Sequence, residues 1–589
     1  MGNAEFAKLL RDVAASYTIK DEIKYRFQVI AYQRAADQIE HLNTELKDIV
    51  ESEKQEKIPN IGPTIMGYIK EYVTEGKVKH FEEVIKKIPE AVFPLLDVPS
   101  FGPKRAYKIA SFFKLNNPNT AIDDVEKLAN EGKIAGLESF GEKSQSDILR
   151  AIKEYRLGKT KTSRMVLPYA YELARKVISY LRTSKYIIDA YPLGSLRRRV
   201  STVGDIDIAA STKNPKESIE HFTKYPQTER IIEKGDRTSS IIISGGRQVD
   251  LMVQYPEGFG SLLQHFTGSK SHNIGLREYA LKKGLSLSEY GIKELKKKGS
   301  PLKKIKSEED FYKYLGLQFI PPEIRENTGE IQLAETNRLP KLIGEKDIKG
   351  DLHIHSSYPI EPSHDLGNNT FLQMLEEAKK LGYEYIGFSE HNPSYSKHNA
   401  SEIYKILSIR KDTIEQINKS NKDIRVINLL EVDILANGAL AIDEKALSLV
   451  DAVIVSIHSV FNMEENKMTE RILKGFSHPK AKILAHPTGR LLNERAGVEA
   501  NWAKIFDFAK KHNKALEINA WPARLDLTDI LVKQAKDNGN KFIINTDSHD
   551  VSHMLNMPYG VSVARRGWCT KQDVLNTLPF KDFYSWINN

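Results

Sequence analysis

The sequence predicts a multidomain protein with a helical N-terminal region, a mixed α/β centre and a C-terminal α/β barrel. Three observations predict this: a turn repeated near the N terminus, strand-like runs with acidic residues in the centre, and regular alternation of short apolar strands and helices after Lys349. The chain has 589 residues. Because a typical domain has roughly 100 to 200 residues, we expect several domains.

The composition is that of a folded protein. Hydrophobic residues make up 40% and charged residues 28%, and no apolar run approaches the roughly 20 residues that cross a bilayer. No basic and apolar signal segment follows Met1, so we expect a soluble, cytoplasmic protein without a membrane partner. Cys569 is the one cysteine, which excludes an internal disulfide and leaves metals to histidine and carboxylate. The net charge of +9 suits a polyanionic partner, although lysine-rich surfaces without such a role are equally common.

A short turn with a central glycine recurs about every 40 residues in the N-terminal region. The three copies are Pro59-Asn60-Ile61-Gly62-Pro63, Pro99-Ser100-Phe101-Gly102-Pro103 and Glu138-Ser139-Phe140-Gly141-Glu142. Helices are predicted after them over 64–75, 104–113 and 143–155. Glycine lets the backbone approach a phosphate closely, and the free N–H groups at the next helix start face the anion. An ordinary helical bundle explains one copy, but three copies favour helix-hairpin-helix units that bind the DNA backbone.

The pattern becomes mixed after Ser163. A helix is predicted over 168–183, followed by strand-like runs around Ile187 and over 205–209, 239–243 and 248–253. The lysine-dense stretch from Lys293 to Lys306 is as consistent with a solvated loop as with a DNA-facing surface, so it is assigned no role. Residues 320–346 are charged and contain Pro321-Pro322, which predicts a linker.

Three aspartates in the central strands indicate metal-dependent transfer chemistry. Asp205 and Asp207 are two residues apart, so the period of a strand places both on one face; Asp250 has similar apolar neighbours and is expected on an adjacent strand. Three carboxylates repel one another unless divalent cations neutralise them, and two magnesium ions serve in-line nucleotidyl transfer. Upstream, Gly194-Ser195 and the arginines 197–199 offer a tight turn, a hydroxyl and guanidinium groups suited to the β and γ phosphates.

Histidines and carboxylates cluster in the C-terminal barrel. Its predicted strands are 385–389, 426–430, 452–456, 482–485, 515–518 and 541–545. Polar residues follow or accompany them, in Asp351-Leu352-His353-Ile354-His355, Ser389-Glu390-His391, Glu431-Val432-Asp433, Ser456-Ile457-His458, Ala485-His486-Pro487 and Asp547-Ser548-His549. Because the carboxyl ends of barrel strands face one cavity, these side chains should converge. Imidazole and carboxylate without thiolate suit two or three zinc, manganese or iron(II) ions that activate water and hold a phosphate.

Residues 1 to about 318 resemble a family X DNA polymerase of the polymerase beta type. Gly194-Ser195, Gly204-Asp205-Ile206-Asp207, Asp250 and Phe266-Thr267-Gly268-Ser269 follow that family's order and approximate spacing. The resemblance implies that Asp205 and Asp207 bind both metals and that Asp250 lies beside the primer 3′ hydroxyl. The other roles it implies are triphosphate binding by Ser195, Arg198 and Gly204, packing against the nucleotide by Phe266, Thr267, Gly268 and Ser269, base contact by Asn273, template contact by Arg277, and DNA binding by the hairpins at Gly62, Gly102 and Gly141.

The N-terminal region departs from the eukaryotic relatives, which remove a 5′ deoxyribose phosphate with a lysine six residues after the first hairpin glycine. That position is Tyr68 here, and Thr64 stands where a supporting lysine would be. We therefore expect weak or absent lyase activity, since Lys70 is off register. His265 replaces a tyrosine and Gln248 replaces an arginine of the family pattern, which leaves sugar discrimination and the surroundings of Asp250 open.

The last 240 or so residues resemble the polymerase and histidinol phosphatase (PHP) domain that follows many bacterial and archaeal family X polymerases. The resemblance begins with Ile320-Pro321-Pro322-Glu323 and Gly350-Asp351-Leu352-His353. It implies a distorted barrel whose metal ligands are His353, His355, His391, Glu431, His458, His486, Asp547 and His549. Relatives carry Ser-Asp-Gly after the first motif where this chain reads Pro359-Ile360-Glu361. Glu361 is therefore the candidate ninth ligand, with His364 as its rival.

The resemblance divides the chain into six parts. They are a helical DNA-binding domain (1–90), a fingers-like helical subdomain (91–160), a nucleotidyltransferase palm (161–260), a small thumb (261–318), a linker (319–348) and a PHP phosphoesterase domain (349–589). The leading hypothesis is a monomeric repair polymerase that fills short gaps in gapped or nicked DNA from deoxynucleoside triphosphates, with a PHP domain that is a metal-dependent 3′–5′ exonuclease or processes 3′ ends or abasic sites. The alternatives are a template-independent nucleotidyltransferase fused to a small-molecule phosphoesterase, and a DNA-end binding scaffold with vestigial sites.

Overall fold

The computed structural model describes residues 3–40, 46–51, 61–98, 101–137, 140–156, 164–244, 246–295, 299 and 301–588. Several features of the sequence lie outside these residues: Pro59-Asn60, Pro99-Ser100 and Glu138-Ser139 of the hairpins, the expected boundary at 160, and Lys296, Lys297 and Lys298. Within the described ranges, no helix combines the length and the apolar character needed to cross a membrane.

The helices, numbered in chain order, are α1 (Asn3–Asp21), α2 (Arg26–Glu40), α3 (Leu46–Glu51), α4 (Pro63–Glu75), α5 (Lys79–Ile85), α6 (Val92–Leu96), α7 (Pro103–Phe112), α8 (Ala121–Asn130), α9 (Glu142–Arg156), α10 (Leu167–Leu181), α11 (Gly194–Arg197), α12 (Pro215–Phe222), α13 (Phe259–Thr267), α14 (Lys270–Lys282), α15 (Glu308–Tyr314), α16 (Glu330–Glu335), α17 (Phe371–Lys380), α18 (Ala400–Ser420), α19 (Glu444–Leu447), α20 (Glu465–Phe476), α21 (Trp502–Lys511), α22 (Asp529–Asn538), α23 (Met557–Arg566) and α24 (Phe580–Asn588).

The strands are β1 (Met165–Val166), β2 (Ile187–Pro192), β3 (Thr202–Val203), β4 (Ile206–Thr212), β5 (Thr228–Lys234), β6 (Thr238–Ile243), β7 (Arg247–Gln254), β8 (Leu285–Ser288), β9 (Gly291–Glu294), β10 (Gly350–Ile354), β11 (Tyr385–Phe388), β12 (Arg425–Asp433), β13 (Ala452–Ser456), β14 (Ala481–Leu484), β15 (Ala515–Asn519) and β16 (Lys541–Asn545).

The N-terminal region is helical and has two apolar cores. The first is built around Phe6, Ile69 and Phe81, and the second around Ile109 and Ile152. The helices after the first two hairpin glycines begin with Pro63 and Pro103, whose fixed φ and missing N–H suit the first helical turn. The predicted helix-hairpin-helix helices therefore correspond to α4, α7 and α9 within one residue at each end.

The palm is a five-stranded sheet with the order β2-β4-β7-β6-β5. β4 and β7 are parallel neighbours in the middle of this sheet, and the helices α10 and α12 place Val177 and Phe222 in its apolar core. The edge strand β5 was not expected from the sequence. Most of its residues are exposed, including Ile231 and Ile232, so β5 lacks the alternation that marks a half-buried strand.

The segment 319–348, which the sequence predicts to be a linker, packs into the thumb instead. Ile320, Ile324 and Ile331 are buried with Leu276 and Phe311 of the thumb. The prolines and charges that suggested a linker frame a short helix, α16, and Arg325 is fully buried where it pairs with Glu308. This packed segment connects the polymerase half of the chain to the barrel.

The C-terminal domain is a nearly closed barrel of seven parallel strands in the order β10 to β16. Its strands coincide with the predicted runs to within three residues at either end. Ile354 pairs with Ser548, which brings the chain after β16 back to the first strand. The last helix, α24, places Phe583 in the barrel core with Leu352 and Ile543.

Candidate active sites

Two acidic strands build the first site. Asp207 of β4 and Asp250 of β7 occupy paired positions on neighbouring parallel strands, and the exposed Asp205 immediately precedes β4. Gly194 has a φ of 55°, and a Cβ at this position would lie 2.6 Å from Asp207 Oδ2, so only glycine leaves room for the carboxylate. The carboxylate oxygens of the three aspartates do not all lie within 4.8 Å of one another.

The surroundings of Asp207 disfavour its ionised form. Burial, followed by the charges of Asp250 and Asp205, raises the pKa of Asp207 from 3.8 to about 6. Gln248 donates from Nε2 to both carboxylate oxygens of Asp250, at 3.0 and 3.1 Å. The glutamine that replaces the family's arginine thus holds the third carboxylate without adding a positive charge. This arrangement fits divalent cations, which relieve repulsion among grouped carboxylates.

The arginine expected at the triphosphate is held from several sides. Arg198 donates from Nη1 to the carbonyl of Thr267 at 2.6 Å, and its Nε lies 3.2 Å from Glu326 Oε1. Burial lowers the pKa of Arg198, although the Glu326 carboxylate opposes this. Arg197 pairs with the buried Glu308 and donates to Thr267 Oγ1. The structure therefore brings Arg198 next to the Thr267–Gly268 turn, as the resemblance implies.

The remaining nucleotide residues lie around the same turn. Asn273 is tied down, since it donates to the carbonyl of His265 at 2.7 Å and accepts from Gln264 at 2.9 Å. Arg277 Nη2 lies 3.5 Å from His265 Nδ1, and Phe266 packs edge-on against the same imidazole. Ser269 caps α14 by accepting from a backbone N–H. Ser195 and Gly204 are both partly exposed beside the aspartates.

Each of the three hairpin glycines has open space at the position of a side chain. Gly62 and Gly102 have extended backbones, with φ of −71° and −93°. Among the described residues, a Cβ at either glycine, or at Gly141, would meet no heavy atom within 4 Å. These glycines are therefore not needed for a left-handed turn, and their lack of a side chain leaves the helix starts open to a close ligand.

The first hairpin carries no lysine at the position of the lyase nucleophile. Tyr68 stacks on His80 with ring centroids 5.4 Å apart and contacts Phe81 edge-on. Lys70 is exposed on the outer face of α4. An aromatic cluster thus fills the place where a Schiff-base amine would be required.

Glu431 is the centre of the second site. This fully buried carboxylate lies within 3.0 to 3.4 Å of a nitrogen from each of five imidazoles, namely those of His353, His355, His391, His458 and His486. Burial works to raise the pKa of Glu431, but the facing histidines outweigh it and hold that pKa well below its ordinary value. The predicted ligands on five different strands thus converge as the barrel geometry requires.

Asp547 and His549 complete the cluster from the end of β16. Asp547 Oδ1 lies 3.4 Å from His353 Nε2 and 3.3 Å from His355 Nε2, while the His549 ring stacks on that of His355 at 4.1 Å. Asp547 and His486 have left-handed backbones, with φ of 55° and 27°. Such conformations are costly for non-glycine residues and are typical of functional sites.

Two carboxylates orient the imidazoles from behind. His353 donates from Nδ1 to Glu517 at 2.8 Å, and His458 lies 2.6 Å through its Nδ1 from Asp433. Each contact directs the Nε2 of that histidine toward Glu431. Glu517 is a site residue that the sequence reasoning missed, because it lies inside a strand that was interpreted as apolar core.

The cluster fits divalent metal ions. Several of its buried atoms make no hydrogen bond, although buried polar atoms normally do; they are His353 Nε2, both ring nitrogens of His355, His391 Nδ1, His486 Nδ1, His549 Nε2 and Glu431 Oε2. Nitrogen and carboxylate donors without sulfur match zinc, manganese or iron(II).

The expected ninth ligand, Glu361, lies outside this cluster. Its φ of 46° turns the exposed side chain toward His398, 3.2 Å away. Asp365 lies closer to the cluster, with Oδ1 at 3.4 Å from His391 Nε2 and Oδ2 at 3.8 Å from His549 Nε2. The sequence contains one signal that points to Asp365, the glycine two residues after it. A Cβ at Gly367 would lie 1.9 Å from the His355 carbonyl oxygen, so glycine is needed where this loop passes close to the cluster. The rival candidate His364 contacts Asp433 at 3.0 Å, beside His391 and His458.

The cluster opens into a cavity of about 570 Å³. Two arginines and two aromatic side chains line it: Arg495, Arg524, Phe461 and Trp521. Arg495 lies over the Phe461 ring at 3.7 Å, and Arg524 Nε lies 3.9 Å from Asp547. Guanidinium groups suit a phosphate and aromatic rings suit a base, and none of these four residues was singled out from the sequence.

Family models match three parts of the chain: a helix-hairpin-helix domain at 1–78, the DNA polymerase beta thumb at 262–326 and a PHP domain at 351–520. The chain is also 34% identical over 592 residues to the DNA polymerase/3′-5′ exonuclease PolX of Bacillus subtilis (strain 168), covering 100% of this chain and 99% of that protein.

The chain belongs to the family X DNA polymerases that carry a C-terminal PHP domain. The fold predicted from the sequence is thereby confirmed in its three main parts, the helix-hairpin-helix region, the thumb and the PHP barrel. Family membership implies that the chain binds DNA and depends on divalent metal ions.

Proposed function

We propose that this enzyme fills short gaps in DNA at its aspartate site and removes nucleotides from 3′ ends at its histidine site. One observation carries the proposal. The same chain contains grouped carboxylates near the guanidinium group of Arg198, and a separate buried cluster of imidazoles that opens into a cavity of about 570 Å³.

At the polymerase site, Asp205 and Asp207 would bind two magnesium ions and Asp250 would face the primer 3′ hydroxyl. Bound magnesium lowers the barrier by neutralising charge on the attacking and leaving oxygens. Arg198 and Ser195 would hold the triphosphate, and the Phe266–Gly268 turn would pack against the sugar. Burial and the charges of Asp250 and Asp205 raise the pKa of Asp207, and a bound cation would relieve this repulsion among the three carboxylates.

At the histidine site, two or three manganese, zinc or iron(II) ions would be held by the predicted ligands, with Asp365 in place of Glu361. Such ions supply a nucleophile at neutral pH and charge stabilisation at the phosphate. Arg495 and Arg524 would orient the scissile phosphate, while Phe461 and Trp521 would stack on the terminal base. A cavity of about 570 Å³ accommodates a nucleotide.

The substrates proposed for the whole enzyme are gapped or nicked DNA and deoxynucleoside triphosphates, used by a monomer in the cytoplasm. The open hairpins at Gly62 and Gly102 would hold the duplex backbone on either side of the gap. Three hairpins argue against a template-independent transferase, because such an enzyme needs no duplex grip.

The test is a gel assay on a labelled primer in a short-gapped duplex with manganese, with and without deoxynucleotides. Wild-type protein should extend the primer, and should shorten it when nucleotides are omitted. His353→Ala should extend but not shorten, whereas His512→Ala, which removes an exposed histidine of the same domain, should do both. Equal incorporation on single-stranded and gapped DNA would favour the template-independent alternative.

A further inference from the structure

One arginine of the barrel reaches into the nucleotide site of the polymerase. Arg566, at the end of α23, is nearly buried, and its Nη1 donates to the backbone carbonyl of Arg198 at 2.9 Å. The same Nη1 lies 3.1 Å from Glu326 Oε1, the oxygen that also contacts Arg198 Nε. Arg566 therefore contacts both the backbone of Arg198 and the carboxylate of Glu326, which the side chain of Arg198 also contacts.

Arg566 is itself held on the barrel side. Its Nε and Nη2 contact Asp529 at 2.8 and 2.7 Å, at the first residue of α22. This two-point contact fixes the plane of the guanidinium group. The remaining nitrogen is thus directed at the polymerase half by a rigid element of the PHP domain.

The segment that carries Glu326 is also fixed from the polymerase side. The carbonyl of Arg325 accepts from Ser269 N at 3.0 Å, and the carbonyl of Glu323 lies 3.3 Å from Arg566 Nη1. Residues 323–326 therefore bridge the barrel and the turn that packs against the nucleotide. Among the described residues, no acceptor hydrogen-bonds to Nη2 of Arg198, which leaves that nitrogen for a phosphate oxygen.

We propose that Arg566 is a positioning residue for nucleotide binding, and that through Glu326 it orients Arg198 toward the incoming triphosphate. The PHP domain then contributes to the nucleotide site of the polymerase in addition to carrying its own active site. This inference rests on the proposed polymerase function. It adds that nucleotide affinity depends on a contact between residues 368 positions apart in the sequence.

The neighbouring arginine provides a matched control. Arg565 crosses the same domain interface, where its Nε donates to Glu323 at 2.7 Å and its Nη1 donates to the Ile343 carbonyl at 2.8 Å. Among the described residues, Arg565 makes no hydrogen bond or ion pair with Arg198 or Glu326. Both arginine substitutions loosen the interface, but only the change at Arg566 releases Arg198.

The experiment measures the dissociation constant of the correct deoxynucleoside triphosphate by calorimetry. It uses the full chain on a gapped duplex whose primer ends in a dideoxynucleotide. Arg566→Ala should weaken binding roughly tenfold, because a buried charged contact is lost, and Arg565→Ala should stay within about twofold of wild type. Glu326→Gln keeps the shape of the side chain and removes its charge, and it should weaken binding several-fold without disturbing Asp529.

Melting temperatures of all variants are recorded alongside. If Arg566→Ala does not fold, Glu326→Gln decides the question. Wild-type affinity in Glu326→Gln and in a folded Arg566→Ala would overturn the inference, as would an equal loss in Arg565→Ala. A wild-type protein that binds no triphosphate on gapped DNA would instead overturn the proposed polymerase function, and this inference with it.

Discussion

The two candidate metal sites of this chain differ in how closely the fold alone brings their predicted ligands together. The aspartate site is partly exposed, the oxygens of its three carboxylates are not gathered within 4.8 Å, and its predicted metal ligands are all carboxylates. The histidine site is largely buried and brings five imidazoles within 3.4 Å of Glu431. A site that must admit a duplex end and a nucleotide stays open, while a site that cleaves one phosphodiester can be built in advance.

The charges explain why the two sites can differ in this way. Imidazoles and carboxylates alternate in the barrel, so attraction offsets part of the cost of burying Glu431. The palm carboxylates have no facing imidazoles, and burial together with the charges of Asp250 and Asp205 raises the pKa of Asp207 despite the nearby Arg198. We therefore expect the polymerase site to depend on its cations for assembly and the nuclease site to depend on its carboxylate supports.

The largest expected effect tests whether the two sites are independent. Asp205→Ala combined with Asp207→Ala should reduce incorporation by more than roughly a thousandfold, because both predicted ligands of both metals are removed. Primer shortening should continue at the wild-type rate, since neither residue contacts the barrel cluster. Loss of both activities in this variant would show that the sites share a function, and a single-turnover gel assay would detect it.

The next effect probes the carboxylates behind the histidines. Glu517→Gln should reduce manganese affinity and exonuclease rate by roughly ten- to a hundredfold, because His353 loses the anion that fixes its tautomer and orientation. Glu499→Gln changes an exposed glutamate of the same domain and is the control. Direct titration of metal-free protein with manganese separates lost binding from lost catalysis. Unchanged affinity in Glu517→Gln would mean that the cluster needs no such support.

The sequence was informative where a pattern repeats locally, and uninformative where the chain folds back on itself. Strand-end histidines follow from β/α alternation, so the six histidines predicted as ligands converge around Glu431 and Asp547. The position of Asp365 could not be predicted, because it depends on how the loop after Pro359 folds back toward His391. The contact between Arg566 and Arg198 joins two domains, and no spacing in the sequence encodes it.

A matched pair of substitutions tests the ninth ligand position. Asp365→Asn should lower exonuclease activity by about tenfold, since its carboxylate faces His391 and His549. Glu361→Gln should have little effect, because Glu361 is exposed and pairs with His398. Both rates are measured at saturating manganese, and the metal content of each variant is determined by mass spectrometry. The reverse order of effects would restore Glu361 as the ligand.

The smallest expected effect concerns the free-energy cost of ionising Asp207 in the metal-free palm. The folded-state pKa of Asp207 is raised from 3.8 to about 6, so its ionisation destabilises the metal-free fold progressively as pH rises from about 4 and fully above about 6. Asp207→Asn should therefore stabilise metal-free protein at pH 7.5 by roughly 1 to 2 kcal/mol after allowance for partial exposure, and raise Tm by about 3 °C.

Asp236→Asn, at an exposed aspartate of the same domain, is the control and should leave the stability unchanged. The gain should shrink as the pH falls through about 6 and approach zero near pH 4, close to the unfolded-state pKa, and it should also shrink when magnesium is added to the wild type. A gain in Asp207→Asn that is independent of pH would mean that packing, rather than repulsion among carboxylates, limits the stability of the open site.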